Sequence, residues 1–66
     1  MSVMKVVEIM AESEKSWEDA AAKAVAKASE TIKNIRSAYV QDQSITVRDN
    51  KLHMYRVDLR ITFEVQ

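Results

Sequence analysis

The sequence contains no cysteine, no glycine and no proline, only one histidine and one tryptophan, and no net charge. Each absence closes off a class of protein. Without cysteine there is neither a disulfide framework nor a thiolate metal site. One histidine cannot supply the imidazole cluster of a zinc centre within a chain. Without glycine or proline, turns have to come from Asn, Asp and Ser, which tolerate positive φ or close a turn with their own side chains. Ten basic residues balance ten acidic ones. The basic excess whose counterion release drives nucleic-acid affinity is therefore missing, and nucleic acid is not an expected partner. No apolar run approaches the ~20 residues of a membrane span. Met1-Ser2-Val3-Met4-Lys5 lacks the basic and long apolar regions of a secretion signal, so the expected location is the cytoplasm.

What remains is a chain of 66 residues, enough for one domain. A domain of this size buries only about 60% of its unfolded surface. Its core rarely supplies more than about 3–5 kcal/mol without a staple. With disulfides and thiolate or imidazole metal centres excluded, the remaining staple is self-association.

Residues 3–10 are rich in β-branched side chains and predict a first strand. Ser16-Trp17-Glu18-Asp19 has the form of a capping box with Asp in its fourth position. Trp17, Ala20, Ala21, Ala24, Val25, Ala28, Ile32 and Ile35 recur at three and four, which predicts an amphipathic helix over 16–34. Asn34 is its expected left-handed end. A second strand is expected over 36–48. Its apolar residues switch parity, from Ala38 and Val40 to Ile45 and Val47, which demands a bulge or bend between Gln41 and Ser44. Arg48-Asp49-Asn50-Lys51 carries the turn signal of a hairpin. From 52 to 66, Tyr55, Val57, Leu59, Ile61, Phe63 and Val65 alternate with polar residues, the pattern of a half-buried strand. The expected architecture is α+β: β-α-β-β, a three-stranded antiparallel sheet wrapped on one amphipathic helix.

Five segments together resemble the dodecins: Lys5-Val6-Val7-Glu8-Ile9, Ser16-Trp17-Glu18-Asp19-Ala20-Ala21, Asn34-Ile35-Arg36, Tyr55-Arg56-Val57, and the alternation to Phe63. The resemblance implies a hollow homododecamer that stores small ligands without catalysis. Many dodecins hold riboflavin or FMN in pairs on a two-fold axis. A Trp after the Asn-Ile-Arg segment stacks on the flavin ring, and a Gln in the last strand bonds its polar edge. Here those places hold Ser37 and Arg56. Losing the Trp removes stacking worth about 0.5–1.5 kcal/mol beyond buried area, and Arg56 offers donors only. In both respects the chain resembles the Trp-lacking branch described as calcium dodecins.

The residues expected at an inter-subunit ligand pocket are Ser37, Tyr39, Gln43 and Arg56. Ordinary strand surface is the competing reading for Tyr39 and Gln43. An inter-subunit salt bridge, to an acid such as Asp58 or Glu64, competes for Arg56. A calcium site would need six to eight oxygens, gathered from several copies. Its candidate donors are Asp42, Asp58 and Glu64, with Asp49 and Glu8 behind them. Solvation or pairing with the equally numerous Lys and Arg is the competing reading for each. An enzyme is not expected. His53 stands alone beside the turn, and Ser13, Ser16 and Ser29 have no base near them in sequence. Trp17, on the apolar stripe, is expected to pack.

Overall fold

The last strand, with its unbroken alternation, is the one flanked on both sides. In the computed structural model, which describes residues 2–65, β3 (Lys51–Val65) lies between β1 (Val3–Ser13) and β2 (Ile35–Arg48). Both neighbours run antiparallel to it. β1 pairs from Val3 opposite Val65 to Ser13 opposite Tyr55. β2 and β3 form a hairpin closed by Asp49 and Asn50, both at positive φ. That turn matches the right-handed twist of the flanking strands. Two odd-numbered faces meet the helix, those of β3 and β1. Val57, Leu59 and Ile61 are buried under α1 (Trp17–Ala28), with Val7, Ile9 and Ala11 packed beside them.

Alanine sets how close the helix lies. Ala20, Ala24 and Ala28 recur every four residues and are the buried positions of α1. Their small side chains let the helix approach the sheet and leave the aliphatic residues of β3 to fill the layer. The helix starts where the capping pattern predicts. The Ser16 hydroxyl accepts from the Asp19 amide at 2.9 Å. The Asp19 carboxylate does not return to the cap amide. It accepts from the buried Ser13 hydroxyl and pairs with Lys23 at 3.1 Å. These bonds hold the Asp19 carboxyl below its ordinary range, the Ser13 bond first and the Lys23 bond second.

The helix ends at Ala28, six residues before the expected 34. Ser29 turns its hydroxyl back onto the Ala26 carbonyl, and the amides of Glu30 and Thr31 reach only to the third residue back. Ser, Thr and Ile at 29, 31 and 32 are weaker helix formers than the alanines before them. Asn34 is left-handed, with φ 64°, but it opens β2 instead of capping the helix. Its carbonyl accepts from the Glu64 amide at 3.0 Å. β1 runs three residues past its expected end at 10, because β3 offers partners as far as Tyr55. β2 and β3 each begin one residue earlier than expected, and residue 66, expected to end β3, lies outside the described residues.

The parity switch in β2 has its bulge. Val40 faces Leu59 and Asp42 faces Asp58, leaving Gln41 as the extra residue. Two more irregularities, at Arg36 and at His53, were not expected from the sequence. Trp17 packs edge-on against Tyr55 at 5.1 Å and donates its indole N–H to the Ser44 carbonyl at 3.0 Å. It ties the start of the helix to β2.

The chain is long and thin, 50 × 19 × 14 Å, with a radius of gyration of 13.5 Å. A compact 66-residue domain would have about 11 Å. Its accessible surface is 4971 Å², against about 4300 Å² for a folded monomer of this mass. Val3, Met4, Val6, Met10, Ile45 and Val47 are among the exposed apolar side chains. Among the described residues, no helix is long and apolar enough to cross a membrane. Ser16→Ala removes the cap and is expected to cost about 1 kcal/mol. Urea unfolding at fixed protein concentration measures it. An unchanged midpoint would mean that Ser16 caps nothing in solution.

Candidate functional site

The even-numbered residues of β3 face away from the helix and form the middle row of an open sheet face. Register partners in antiparallel strands share a face, so the neighbours of each are fixed. Arg56 has Glu12 on one side and Ser44 on the other. Asp58 has Met10 and Asp42, Arg60 has Glu8 and Tyr39, and Thr62 has Val6 and Ser37.

Of the four expected pocket residues, three lie on this face. The Ser37 hydroxyl lies 2.5 Å from that of Thr62. Tyr39 is 67% exposed and stands opposite Arg60. Arg56 directs Nε and Nη2 to one oxygen of Glu12, at 3.1 and 2.8 Å. Within the chain its acid is Glu12, on β1. β1–β3 pairing decides that, and sequence spacing does not show it. Gln43 is opposite Val57, a strand position on the helix side. It still borders a shallow cavity of about 320 Å³ that Met10, Asp42, Ser44, Arg56 and Asp58 also line. Ser37 and Arg56 do not come together within a chain. Their rows, at Thr62 and Arg56, are about 20 Å apart at the strand rise.

The acids divide in the same way. Glu64 accepts from Nε and Nη2 of Arg36 at 3.2 and 3.0 Å, and from the Ser2 hydroxyl at 3.4 Å. It belongs to the far end of the face. Asp49 sits in the hairpin turn. Asp42 and Asp58 are direct register partners, an arrangement of like charges that destabilises a bare sheet. Glu8 lies diagonally beside Asp58. Its carboxyl is raised above its ordinary value, first by a hydrogen bond to Asp58 and next by that group's charge, with smaller effects of burial and of Asp42, against the pull of Arg60. Glu8 is the partner that sequence reasoning left unpaired. It is fifty residues from Asp58, and only the register joins them. Among the described residues, no three acids or imidazoles of one chain are gathered so as to hold a metal alone. His53 is half-buried, with Nδ1 3.4 Å from the Thr46 hydroxyl.

Comparison with known proteins fits this geometry. The dodecin family model matches residues 3–66. The chain belongs to the dodecin family. It is 39% identical over 66 residues to a calcium dodecin of Mycobacterium tuberculosis, covering all of this chain and 93% of that protein. A crystal structure of calcium dodecin from that organism, described as calcium chelating with a novel calcium-binding site, superposes with a TM-score of 0.87 and 38% identity, over 98% of this chain and 93% of that one. A single-residue variant of a T. thermophilus dodecin gives 0.93 with 27% identity, over 100% of this chain and 98% of that one. Dodecins are non-catalytic proteins that assemble from copies of one chain and bind small ligands, and this dodecin shares the β-α-β-β fold.

Glu8 has a pH consequence. A carboxyl raised in the folded state contributes stability that is complete below its unfolded value, near 4.5, and is lost as pH rises through the folded value. Glu8→Gln is therefore expected to melt higher than wild type at neutral pH and to converge with it in acid, in chelator and without divalent ions. An offset that does not change with pH would contradict a raised Glu8 carboxyl.

Proposed function

We propose that this dodecin is a homododecameric shell that binds a divalent cation of the calcium type, in place of flavin. The observation that carries the reading is the register pairing of Asp42 with Asp58, with Glu8 diagonally beside them. Opposed carboxylates strain a sheet unless a proton or a cation sits between them. Calcium takes carboxylate, carbonyl and water oxygens in a loose shell of six to eight. One chain offers too few oxygens, so the site combines the acids of two or more copies. The relative named calcium dodecin supports this, as does the sequence difference at Ser37, where a hydroxyl bonded to Thr62 replaces the stacking ring. On composition alone we place the shell in the cytoplasm.

Flavin is the second reading, and one observation favours it. Tyr39 is exposed beside Arg60 in a cavity of about 310 Å³ that Val6 and Thr62 also line. An aromatic face next to a guanidinium suits a planar ring with polar edges.

Titration calorimetry with CaCl2 into the assembled protein separates the readings. Saturable binding is expected, weakened at least tenfold by Asp58→Asn. An absence of heat, or an unchanged affinity in the variant, would contradict the cation site. Riboflavin fluorescence is expected to stay unquenched by wild type and to be quenched by Ser37→Trp. Quenching by wild type at micromolar concentrations would favour the Tyr39 pocket.

A further inference from the structure

Arg56 is the guanidinium on the cavity of the acid pair. It lines the space of about 320 Å³ that Asp42 and Asp58 also line. Arg60, on the other side of Asp58, lines the Tyr39 cavity and not this one. Asp58 follows Arg56 by two residues on the same strand face, about 7 Å along it. Asp42 stands in the same row as Asp58, diagonal to Arg56 across the β2–β3 pair. Diagonal neighbours, about 7–8 Å apart, are within reach of a long side chain. The planar fork of a guanidinium also matches a carboxylate closely. An unheld Arg56 would therefore turn onto the opposed carboxylates and neutralise them from within the chain, where a divalent cation would otherwise sit.

Glu12 holds Arg56 the other way. β1 runs on past Met10 to Ser13, and this extension puts Glu12 directly opposite Arg56. Nε and Nη2 of Arg56 both donate to one Glu12 oxygen, at 3.1 and 2.8 Å. The β2 side offers no rival acid in register, because the residue opposite Arg56 there is Ser44. Both members of the ion pair are partly exposed, 40% for Arg56 and 39% for Glu12, so the pair adds little to stability. Its consequence lies in where it leaves the guanidinium. We propose that Glu12 is a positioning residue for the cation site: it parks Arg56 against β1 and keeps the Asp42–Asp58 pair open to a divalent cation. This role rests on the cation reading above. It makes Arg56 a competitor built into the chain. Loss of the Glu12 carboxylate hands the acid pair to Arg56 and expels the cation.

A double-mutant cycle tests the role, with CaCl2 titrated by calorimetry into wild type, Glu12→Gln, Arg56→Gln and the double variant, each checked for assembly by sedimentation. With Arg56 present, Glu12→Gln is expected to weaken binding about fivefold or more. With Arg56 replaced, the same change is expected to alter it by less than about twofold. An equal weakening in both backgrounds would show Glu12 acting as a ligand or through its charge alone, and would overturn the proposal. So would an unchanged affinity in Glu12→Gln. A crystal structure of Glu12→Gln grown in chelator gives a readout without the metal. An Arg56 nitrogen within hydrogen-bond distance of Asp42 or Asp58 is expected there, and an Arg56 still turned to β1 would overturn the parking. A wild-type shell that gives no heat with CaCl2 would remove the cation reading and this role together, which distinguishes that failure from the others.

Discussion

The close approach of α1 to β3 through Ala20, Ala24 and Ala28 is the constraint on which the rest of the structure depends. Small side chains bring the helix down onto Val57, Leu59 and Ile61 and make a tight, continuous layer. The same choice limits what the layer can supply. Buried apolar area contributes about 25 cal/mol per Å², and alanine has little of it. A chain folded around this contact is left with a thin core, a long outline and aliphatic side chains in water. Self-association follows from the packing before any family comparison is made, and the family supplies its form.

The open face of the sheet shows the same economy of means in charge. Arg56 with Glu12 and Arg36 with Glu64 close two ion pairs within the chain. Such exposed pairs add little stability, about 0–1 kcal/mol each, but they fix which carboxylates are engaged. Between them stand Asp42, Asp58 and Glu8, with Arg60 opposite Glu8. The face is therefore neutral at its ends and acidic in its middle. A patch of that kind orders a cation better than it orders a stacked flavin ring, which is the physical reason for preferring the calcium reading to the flavin one.

Much of the fold was legible because the signals were local. β3 announced itself by unbroken alternation, the helix start by Ser16 and Asp19, and the bulge by the change of parity between Val40 and Ile45. The helix end was not legible. Ile32 and Ile35 keep the apolar period going, while the Ser29 hydroxyl turns back on Ala26 and the next amides reach only the third residue back. The site was legible in part. Ser37, Tyr39 and Arg56 share a face, but the 20 Å between the rows of Ser37 and Arg56, and the place of Gln43 across the sheet, depend on register and on the bulge at Gln41. The pairing of Glu8 with Asp58 and of Arg56 with Glu12 crosses the whole chain. No spacing in the sequence encodes it, whereas the β1–β3 register does.

The central claim is that this chain is stable as an assembly and not as a single copy. Sedimentation velocity across a dilution series, with circular dichroism on the same samples, tests it most directly. The account predicts a particle of twelve chains of 7.6 kDa each, whose dissociation on dilution or mild denaturant coincides with loss of structure. A folded 7.6 kDa monomer that persists on dilution would contradict it.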